Sequence, residues 1–101
     1  MSITSQPSAD GQELTIAIQG RFDYSTHQLF RDAYLGADVR PQRYVVNFQG
    51  VTYMDSSALG MLLLLRDYAG GDSASIRLLN PGADVRKILM VSNFDQLFEI
   101  I

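Results

Sequence analysis

The spacing of hydrophobic and polar residues changes from block to block along the chain. Residues 14–19 alternate Leu, Ile and Ile with Thr, Ala and Gln, which is typical of a half-buried strand. A Ser-Ala-Asp-Gly turn at residues 8–11 joins this strand to a short strand before it. Two further runs, at residues 44–48 and 75–79, predict two more strands, and the first of these is expected to be buried on both faces.

Apolar residues at three- and four-residue spacing predict helices between the strands. The first helix is expected to begin at a cap formed by Ser25 or Thr26 and to end near Gly36. The second opens at Asp55 and runs to a Gly-Gly pair, which is a common helix stop. The third covers about residues 83–91, after which the chain closes with a helical turn or a short strand.

Strands that alternate with helices in this way predict an α/β fold with right-handed crossovers. A chain of 101 residues fits one domain, which is expected to span residues 1–101. The expected architecture is a mostly parallel or mixed sheet of four to five strands, covered by three to four helices.

Composition and charge exclude several classes of protein. A net charge of −3 with no basic stripe argues against a nucleic-acid partner. The chain has no cysteine, so it can form neither disulfides nor thiolate metal sites. No apolar run approaches the roughly 20 residues that span a bilayer, and the N-terminal residues do not resemble a signal peptide. A soluble, cytoplasmic monomer with no membrane partner is therefore expected.

An acid and two hydroxyls, Asp55, Ser56 and Ser57, stand where an apolar strand turns into an apolar helix. A serine at that point lies on unpaired backbone N–H groups at the positive end of the helix dipole, which tolerates an added phosphate. Capping of the helix by Ser56 or Ser57 is the simpler interpretation, and it is compatible with phosphorylation. Sites on parallel sheets gather where strands end, so Asp23 and Asp55 are expected to flank Ser56 if their strands are neighbours.

The helix that follows is apolar nearly all round between residues 58 and 65. One face must cover the sheet. The other face either forms an exposed docking surface for a partner or is packed by neighbouring elements. Ala58 and Gly60 are small residues, so the backbone of another chain can approach the first turns of this helix closely. The residues expected to contact a partner are Ser57, Ala58, Leu59, Gly60 and Met61.

Residues 54–60, Met-Asp-Ser-Ser-Ala-Leu-Gly, resemble the phosphorylation motif of bacterial anti-sigma factor antagonists, which are single STAS domains. The resemblance extends over nearly the whole chain, including the Gly-Arg-Phe-Asp segment at residues 20–23. It implies that Ser56 is the phosphoacceptor, with Ser57 as the less favoured neighbour. It also implies that Asp23 and Asp55 frame the site and shape kinase recognition.

By the same resemblance, the protein is a partner switch that uses no cofactor. The unphosphorylated form would bind an anti-sigma factor that is also a serine kinase, and so release the sigma factor. Phosphorylation of Ser56 would break that complex, and a PP2C-type phosphatase would restore it. The chain departs from the family pattern at Ala58, where Gly is frequent, and at Arg21, where many members carry an acid. The second departure leaves the identity of the partner open.

Catalytic and metal-binding functions fit the sequence less well, so the protein is not expected to be an enzyme. A Ser-His-Asp hydrolase could use Ser56, His27 and one of the aspartates, but no Gly-x-Ser-x-Gly elbow surrounds the serine. A metal site would need distant carboxylates such as Asp55 and Asp67, which are twelve residues apart on one predicted helix, to converge with Asp23 and Asp32.

Two alternative binding functions stay open. One is a constitutive STAS-type scaffold in a signalling complex, and the other is a partner switch that controls a non-sigma target such as a second-messenger enzyme. A switch is expected to lose its partner in Ser56→Asp and keep it in Ser56→Ala. A constitutive scaffold barely distinguishes the two variants.

Overall fold

The computed structural model describes residues 2–36 and 41–101. In these two ranges the chain forms five strands and three α-helices, with short 3-10 helices at Tyr24–Thr26, Gly71–Ser73 and Phe94–Gln96. The strands are β1 Ser2–Pro7, β2 Glu13–Phe22, β3 Arg43–Met54, β4 Ile76–Leu79 and β5 Glu99–Ile100; the helices are α1 His27–Leu35, α2 Ser56–Ala69 and α3 Ala83–Val91.

The five strands form one mixed sheet in the order β1-β2-β3-β4-β5. β1 runs antiparallel to β2, as expected of two strands joined by a tight turn. β2, β3, β4 and β5 are mutually parallel neighbours. The predicted α/β fold class is therefore confirmed, and β2 and β3 lie side by side, which is the condition that the sequence analysis set for bringing Asp23 and Asp55 to the same edge.

Burial follows the predicted periodicity. Leu14, Ile16 and Ile18 of β2 are almost completely inaccessible, whereas the residues between them are partly exposed or exposed. Each α-helix contributes apolar side chains at helical spacing to the same core: Phe30 and Tyr34 from α1; Ala58, Met61, Leu62 and Leu65 from α2; Val85 and Leu89 from α3. α2 begins and ends where the sequence predicted, with Gly70 at a φ of 124° just after it.

β2 and β3 extend further than their sequences indicated. Residues expected to form loops continue the parallel ladder, with Arg21 paired to Tyr53 and Phe22 paired to Met54. The side chains of Phe22 and Met54 are buried in the core, and this apolar burial stabilises the extended ends of β2 and β3. A shift in register between Gly20 and Arg21 accompanies the extension, and the φ of 90° at Gly20 is one that few other residues adopt.

The cap before α1 also differs from the prediction. Asp23, rather than Ser25 or Thr26, caps the 3-10 helix that leads into α1, and Thr26 completes a reciprocal capping box with it. Thr26 precedes α1 directly but makes no side-chain capping bond to it. Thr26 is instead completely buried. Its hydroxyl donates a hydrogen bond to the backbone carbonyl of Asp23 and accepts one from the backbone N–H of Asp23.

Candidate functional site

β2 and β3 end next to each other at one edge of the sheet. The backbone N–H of Asp55 donates to the carbonyl of Phe22 across this edge, at 3.4 Å. The segment that begins with Asp23 therefore lies beside the segment that begins with Asp55, as the sequence predicted for neighbouring strands. Neither carboxylate is hydrogen-bonded to Ser56 in the part of the chain that the structure describes.

Asp55 caps α2. Its backbone is extended, with φ of −110° and ψ of −179°, and its Oδ1 accepts a hydrogen bond from the backbone N–H of Ala58 at 3.0 Å. The interpretation of Ser56 or Ser57 as the cap is therefore wrong. The physical reason is that the residue with extended backbone directly before the helix takes the capping role, and here that residue is the aspartate.

Ser56 is the first residue of α2 and is exposed. Among the described residues, no partner accepts from or donates to its hydroxyl. The Ala58 amide at the start of the helix is already bonded to the carboxylate of Asp55, so the Ser56 hydroxyl is not needed to cap it. The neighbouring Ser57 is partly buried. Of the two hydroxyls, that of Ser56 is thus the more accessible from outside, and it lies on the first turn of a 14-residue helix.

Asp23 is held by several donors. Its Oδ1 accepts from the backbone N–H of Ser25 at 3.1 Å and from the Ser25 hydroxyl at 2.5 Å. Its Oδ2 accepts from Nε of Arg21 at 3.0 Å. The hydrogen bond from the Ser25 hydroxyl, followed by that from Arg21, lowers the pKa of the Asp23 carboxyl below its ordinary value. Asp23 is therefore a fixed negative charge at this edge of the sheet.

Arg21 and Tyr53 form an exposed stack that the sequence did not reveal. The guanidinium carbon of Arg21 lies 4.2 Å from the centre of the Tyr53 ring, within the range of a cation–π interaction. Tyr53 is 44% exposed, although it sits in a strand. Only the register of β2 against β3 could have revealed this pair. Arg21 and Tyr53 lie opposite each other because both strands extend beyond their predicted ends.

The surface of α2 is divided between packed and exposed residues. Ala58 and Met61, two of the residues expected to contact a partner, are buried, so their side chains belong to the core. Ser57 and Leu59 are partly buried and Gly60 is exposed. Further along the helix, two apolar side chains outside the set of five are exposed, namely Leu63 at 41% and Leu64 at 63%. One side of α2 is thus packed and the other is open.

A groove of about 450 Å³ lies between α1 and α2, and Ser56 is not among the residues that line it. Tyr34, Leu64 and Tyr68 are among its lining residues, which are mostly apolar or aromatic. Tyr34 is largely buried, and this burial raises the pKa of its phenol. The groove is thus a concave surface distinct from the exposed first turn of α2 that carries Ser56.

The residues of a hydrolytic triad do not come together in the described part of the chain. His27 Nδ1 lies 2.9 Å from the Tyr24 carbonyl oxygen, and its ring stacks on that of Tyr24 with centroids 4.7 Å apart. The carboxylates of Asp23 and Asp55 bind other donors. The same ranges contain no group of three or more His, Asp or Glu residues suited to a metal ion. Nor does any of their helices have the length and apolar character needed to cross a membrane.

Comparison with known proteins identifies the relatives of this chain. A family model described as "Mlab, STAS domain" matches residues 5–100. A STAS-domain-containing protein of Pseudomonas aeruginosa strain UCBPP-PA14 is 65% identical over 100 residues, which cover 99% of each chain.

Solved structures show the same fold at low sequence identity. The anti-sigma factor antagonist SpoIIAA in its unphosphorylated form matches with a TM-score of 0.72 and 20% identity, covering 99% of this chain and 87% of that one. The Bacillus cell fate determinant SpoIIAA in its phosphorylated form matches with a TM-score of 0.65 and 21% identity, covering 99% of this chain and 91% of that one. A provisionally assigned anti-sigma factor antagonist of Thermotoga maritima matches with a TM-score of 0.79 and 17% identity, covering 97% and 84%. With a family model that spans nearly all of its length, this chain belongs to the STAS domain family.

Proposed function

We propose that this protein is a phosphorylation-controlled partner switch of the anti-sigma factor antagonist type. The observation that carries the proposal is the exposed Ser56 hydroxyl, which has no partner among the described residues and stands on the first turn of α2. In the proposed cycle, the unphosphorylated form binds an anti-sigma factor with serine kinase activity. Phosphorylation of Ser56 by that kinase dissociates the complex. A PP2C-type phosphatase removes the phosphate, so that the complex can form again.

The local charges favour release of a partner over refolding of the domain. A phosphate adds about −1.5 to −2 charges to a site that already holds the carboxylates of Asp23 and Asp55 at the same edge. The helix N-terminus stabilises an anion by roughly 0.3–1 kcal/mol, so it tolerates the phosphate without drawing it inward. The modified serine therefore stays at the surface, where its charge and hydration oppose a docked protein.

The proposed docking surface is the open side of α2 next to Ser56. It consists of Ser57, Leu59 and Gly60, extended by the exposed Leu63 and Leu64. A Cβ added to Gly60 meets no atom within 4 Å, so the fold itself does not require glycine there. The bare backbone at Gly60 fits a surface that another chain approaches closely. SpoIIAA, a protein of the same fold, is known in both an unphosphorylated and a phosphorylated form.

The test compares full-length protein carrying serine, alanine or installed phosphoserine at position 56. Each form is used as bait in a lysate of the native host, and captured proteins are identified and then titrated as purified components. We expect one partner to bind the Ser56 and Ser56→Ala forms alike and to bind the phosphoserine form at least about tenfold more weakly, the usual scale of regulatory coupling. Ser75→Ala with Ser56 intact is the matched control, because Ser75 is an exposed serine directly before β4, at the opposite end of the parallel strands from Ser56. Equal binding of the serine and phosphoserine forms would contradict the switch.

A constitutive binding module is the second candidate, and the α1–α2 groove favours it. Ser56 is not among the residues that line this groove, so a partner seated there would not sense the phosphate directly. Leu35→Glu places a charge in the groove from the α1 side, outside the proposed docking surface, where Leu35 is 40% exposed. A partner lost in Leu35→Glu but indifferent to phosphoserine at position 56 would indicate the module. The target of either mechanism, including a second-messenger enzyme, follows from the identity of the captured protein.

A further inference from the structure

Arg21 is placed at the same end of the same strand pair as Ser56. It pairs with Tyr53 in the parallel ladder, and the next pair, Phe22 with Met54, is the last before the chain reaches Asp55 and Ser56. Its side chain is 60% exposed. Arg21 is therefore a cation held on a paired strand, rather than on a free loop, at the sheet edge that leads into Ser56.

The interactions of Arg21 leave most of its hydrogen-bonding capacity unused. Nε donates to Asp23 Oδ2, while the two terminal nitrogens have no acceptor among residues 2–36 and 41–101. The face of the guanidinium lies over the Tyr53 ring, which restricts its orientation without using any of its N–H groups. An arginine held in this way offers a planar fork of donors, the arrangement that suits a phosphate.

Asp23 does not depend on Arg21 alone. If the guanidinium leaves, the Asp23 carboxylate keeps the backbone N–H and the hydroxyl of Ser25 as donors. The ion pair that breaks is exposed on the arginine side, and exposed ion pairs contribute little to stability. A doubly charged phosphate competes well with a single carboxylate for the same cation.

We propose that Arg21 is the counter-ion of phosphorylated Ser56, exchanging its contact with Asp23 for the phosphate while it stays stacked on Tyr53. This inference rests on the proposed phosphorylation of Ser56 and assigns a positioning role to a residue outside the phosphorylation motif. The exchange forms charge-assisted hydrogen bonds and involves no covalent step. It fixes the phosphate beside the β2–β3 edge, at the border of the docking surface.

The first test is a pH titration by phosphorus NMR of the full-length protein with phosphoserine installed at position 56. A nearby guanidinium favours the doubly charged phosphate, so we expect Arg21→Gln to raise the second pKa of the phosphate by about 0.5 unit. Arg21→Lys keeps the charge but loses the planar fork of donors. Its phosphate pKa is expected to lie between those of the wild type and Arg21→Gln. Arg43→Gln is the matched control, because Arg43 pairs with Glu13 at the far end of β2 and β3. It is expected to leave the phosphate pKa unchanged. An equal pKa in the wild type and Arg21→Gln would overturn the proposal.

The second test needs no substitution at position 21. The proton and nitrogen resonances of the Arg21 Nε–H group are compared in the serine and phosphoserine forms. We expect them to move on phosphorylation, while those of Arg43 stay in place. Unmoved Arg21 resonances would refute the exchange of partners.

These readouts are independent of any binding protein, so the two proposals fail in different ways. If the phosphate pKa responds to Arg21 but partner binding ignores phosphoserine, the switch fails and the counter-ion stands. If binding is lost on phosphorylation but the phosphate pKa ignores Arg21, the switch stands and the counter-ion fails.

Discussion

The entrances to α1 and α2 are built from the same residue types but use them differently. Each begins with an aspartate that accepts hydrogen bonds from the turn that follows it. Before α1, the hydroxyls of Ser25 and Thr26 are both bonded to Asp23. Before α2, Asp55 caps the helix through its own carboxylate, and the hydroxyl of Ser56 is left unbonded among the described residues. A hydroxyl is thus available for modification where an acid has already taken over its structural role.

The largest expected effect comes from modification of the hydroxyl at the α2 entrance. Phosphoserine installed at position 56 is expected to weaken partner binding by about 1–3 kcal/mol, because the added charge is exposed at the docking surface. Ser25→Ala, the matching change at the other entrance, is expected to leave phosphorylation at position 56 and its effect on binding intact. Intact-mass spectrometry with site mapping, followed by titration of the captured partner, measures both. Phosphate found on Ser25 instead would reverse the assignment.

The buried hydroxyl of Thr26 gives the largest expected effect on stability. Thr26→Val keeps the shape of a completely buried side chain but removes the hydrogen bonds to the Asp23 backbone, of 2.8 and 3.3 Å. We expect the free energy of unfolding to fall by about 1–3 kcal/mol, since a polar group is left without its partner. Urea denaturation provides the measurement. Ser57→Ala at the α2 entrance is the control and is expected to stay within about 0.5 kcal/mol of the wild type. A larger loss in Ser57→Ala than in Thr26→Val would contradict the division of roles.

A substitution at Gly60 separates the stability of α2 from the binding of a partner to it. Because a Cβ at this position meets no neighbouring atom, Gly60→Ala is expected to stabilise the helix by up to about 1 kcal/mol. The same methyl group stands on the proposed docking surface, so binding of the partner is expected to weaken. Thermal unfolding and partner titration on one preparation measure both changes. Higher stability with unchanged affinity would remove Gly60 from the docking surface.

The smallest expected effect concerns acid stability at the α1 entrance. The pKa of Asp23 is lowered in the folded protein, first by the Ser25 hydroxyl and then by Arg21. A lowered folded-state pKa stabilises the protein above the unfolded value of about 3.9, and that contribution is lost as the pH falls through the folded pKa. Wild type and Asp23→Asn are therefore expected to differ in urea midpoint near neutral pH and to converge only as the pH falls from about 3.9 through the lowered folded pKa.

Two single variants test the cause of this pH dependence. Ser25→Ala is expected to flatten the acid slope more than Arg21→Gln, following the order of their effects on the Asp23 carboxyl. Parallel acid profiles in the wild type and Asp23→Asn would show that this carboxylate does not couple to folding.

The sequence predicted those features that depend on local periodicity. The alternation in β2, the bounds of α3 and the stop after α2 follow from residue spacing and from glycine, and the structure agrees with each. It could not predict which side of α2 is packed, because residues 58–65 are apolar nearly all round. Burial of Ala58 and Met61 is decided by the sheet beneath them. The Arg21–Tyr53 stack depends on strand register, which no local pattern specifies.

The residue that caps α2 could not be predicted from the sequence for a different reason. Ser, Thr and Asp have similar capping preferences, so composition alone does not select among neighbours. Backbone conformation selects Asp55, whose extended φ and ψ place its carboxylate opposite the Ala58 amide. That conformation is fixed by pairing of the preceding residues with β2, which is a tertiary effect.

The order of strands has a consequence for how the chain assembles during synthesis. Strands that are consecutive in the chain are also adjacent in the sheet, from β1 through β5. The β1–β2 hairpin can therefore form while later residues are still on the ribosome, and each βα unit that follows finds a completed edge to join. No strand has to be inserted between two that have already paired. The topology thus allows the strands to be added in chain order, with the latest strand at the edge of the sheet.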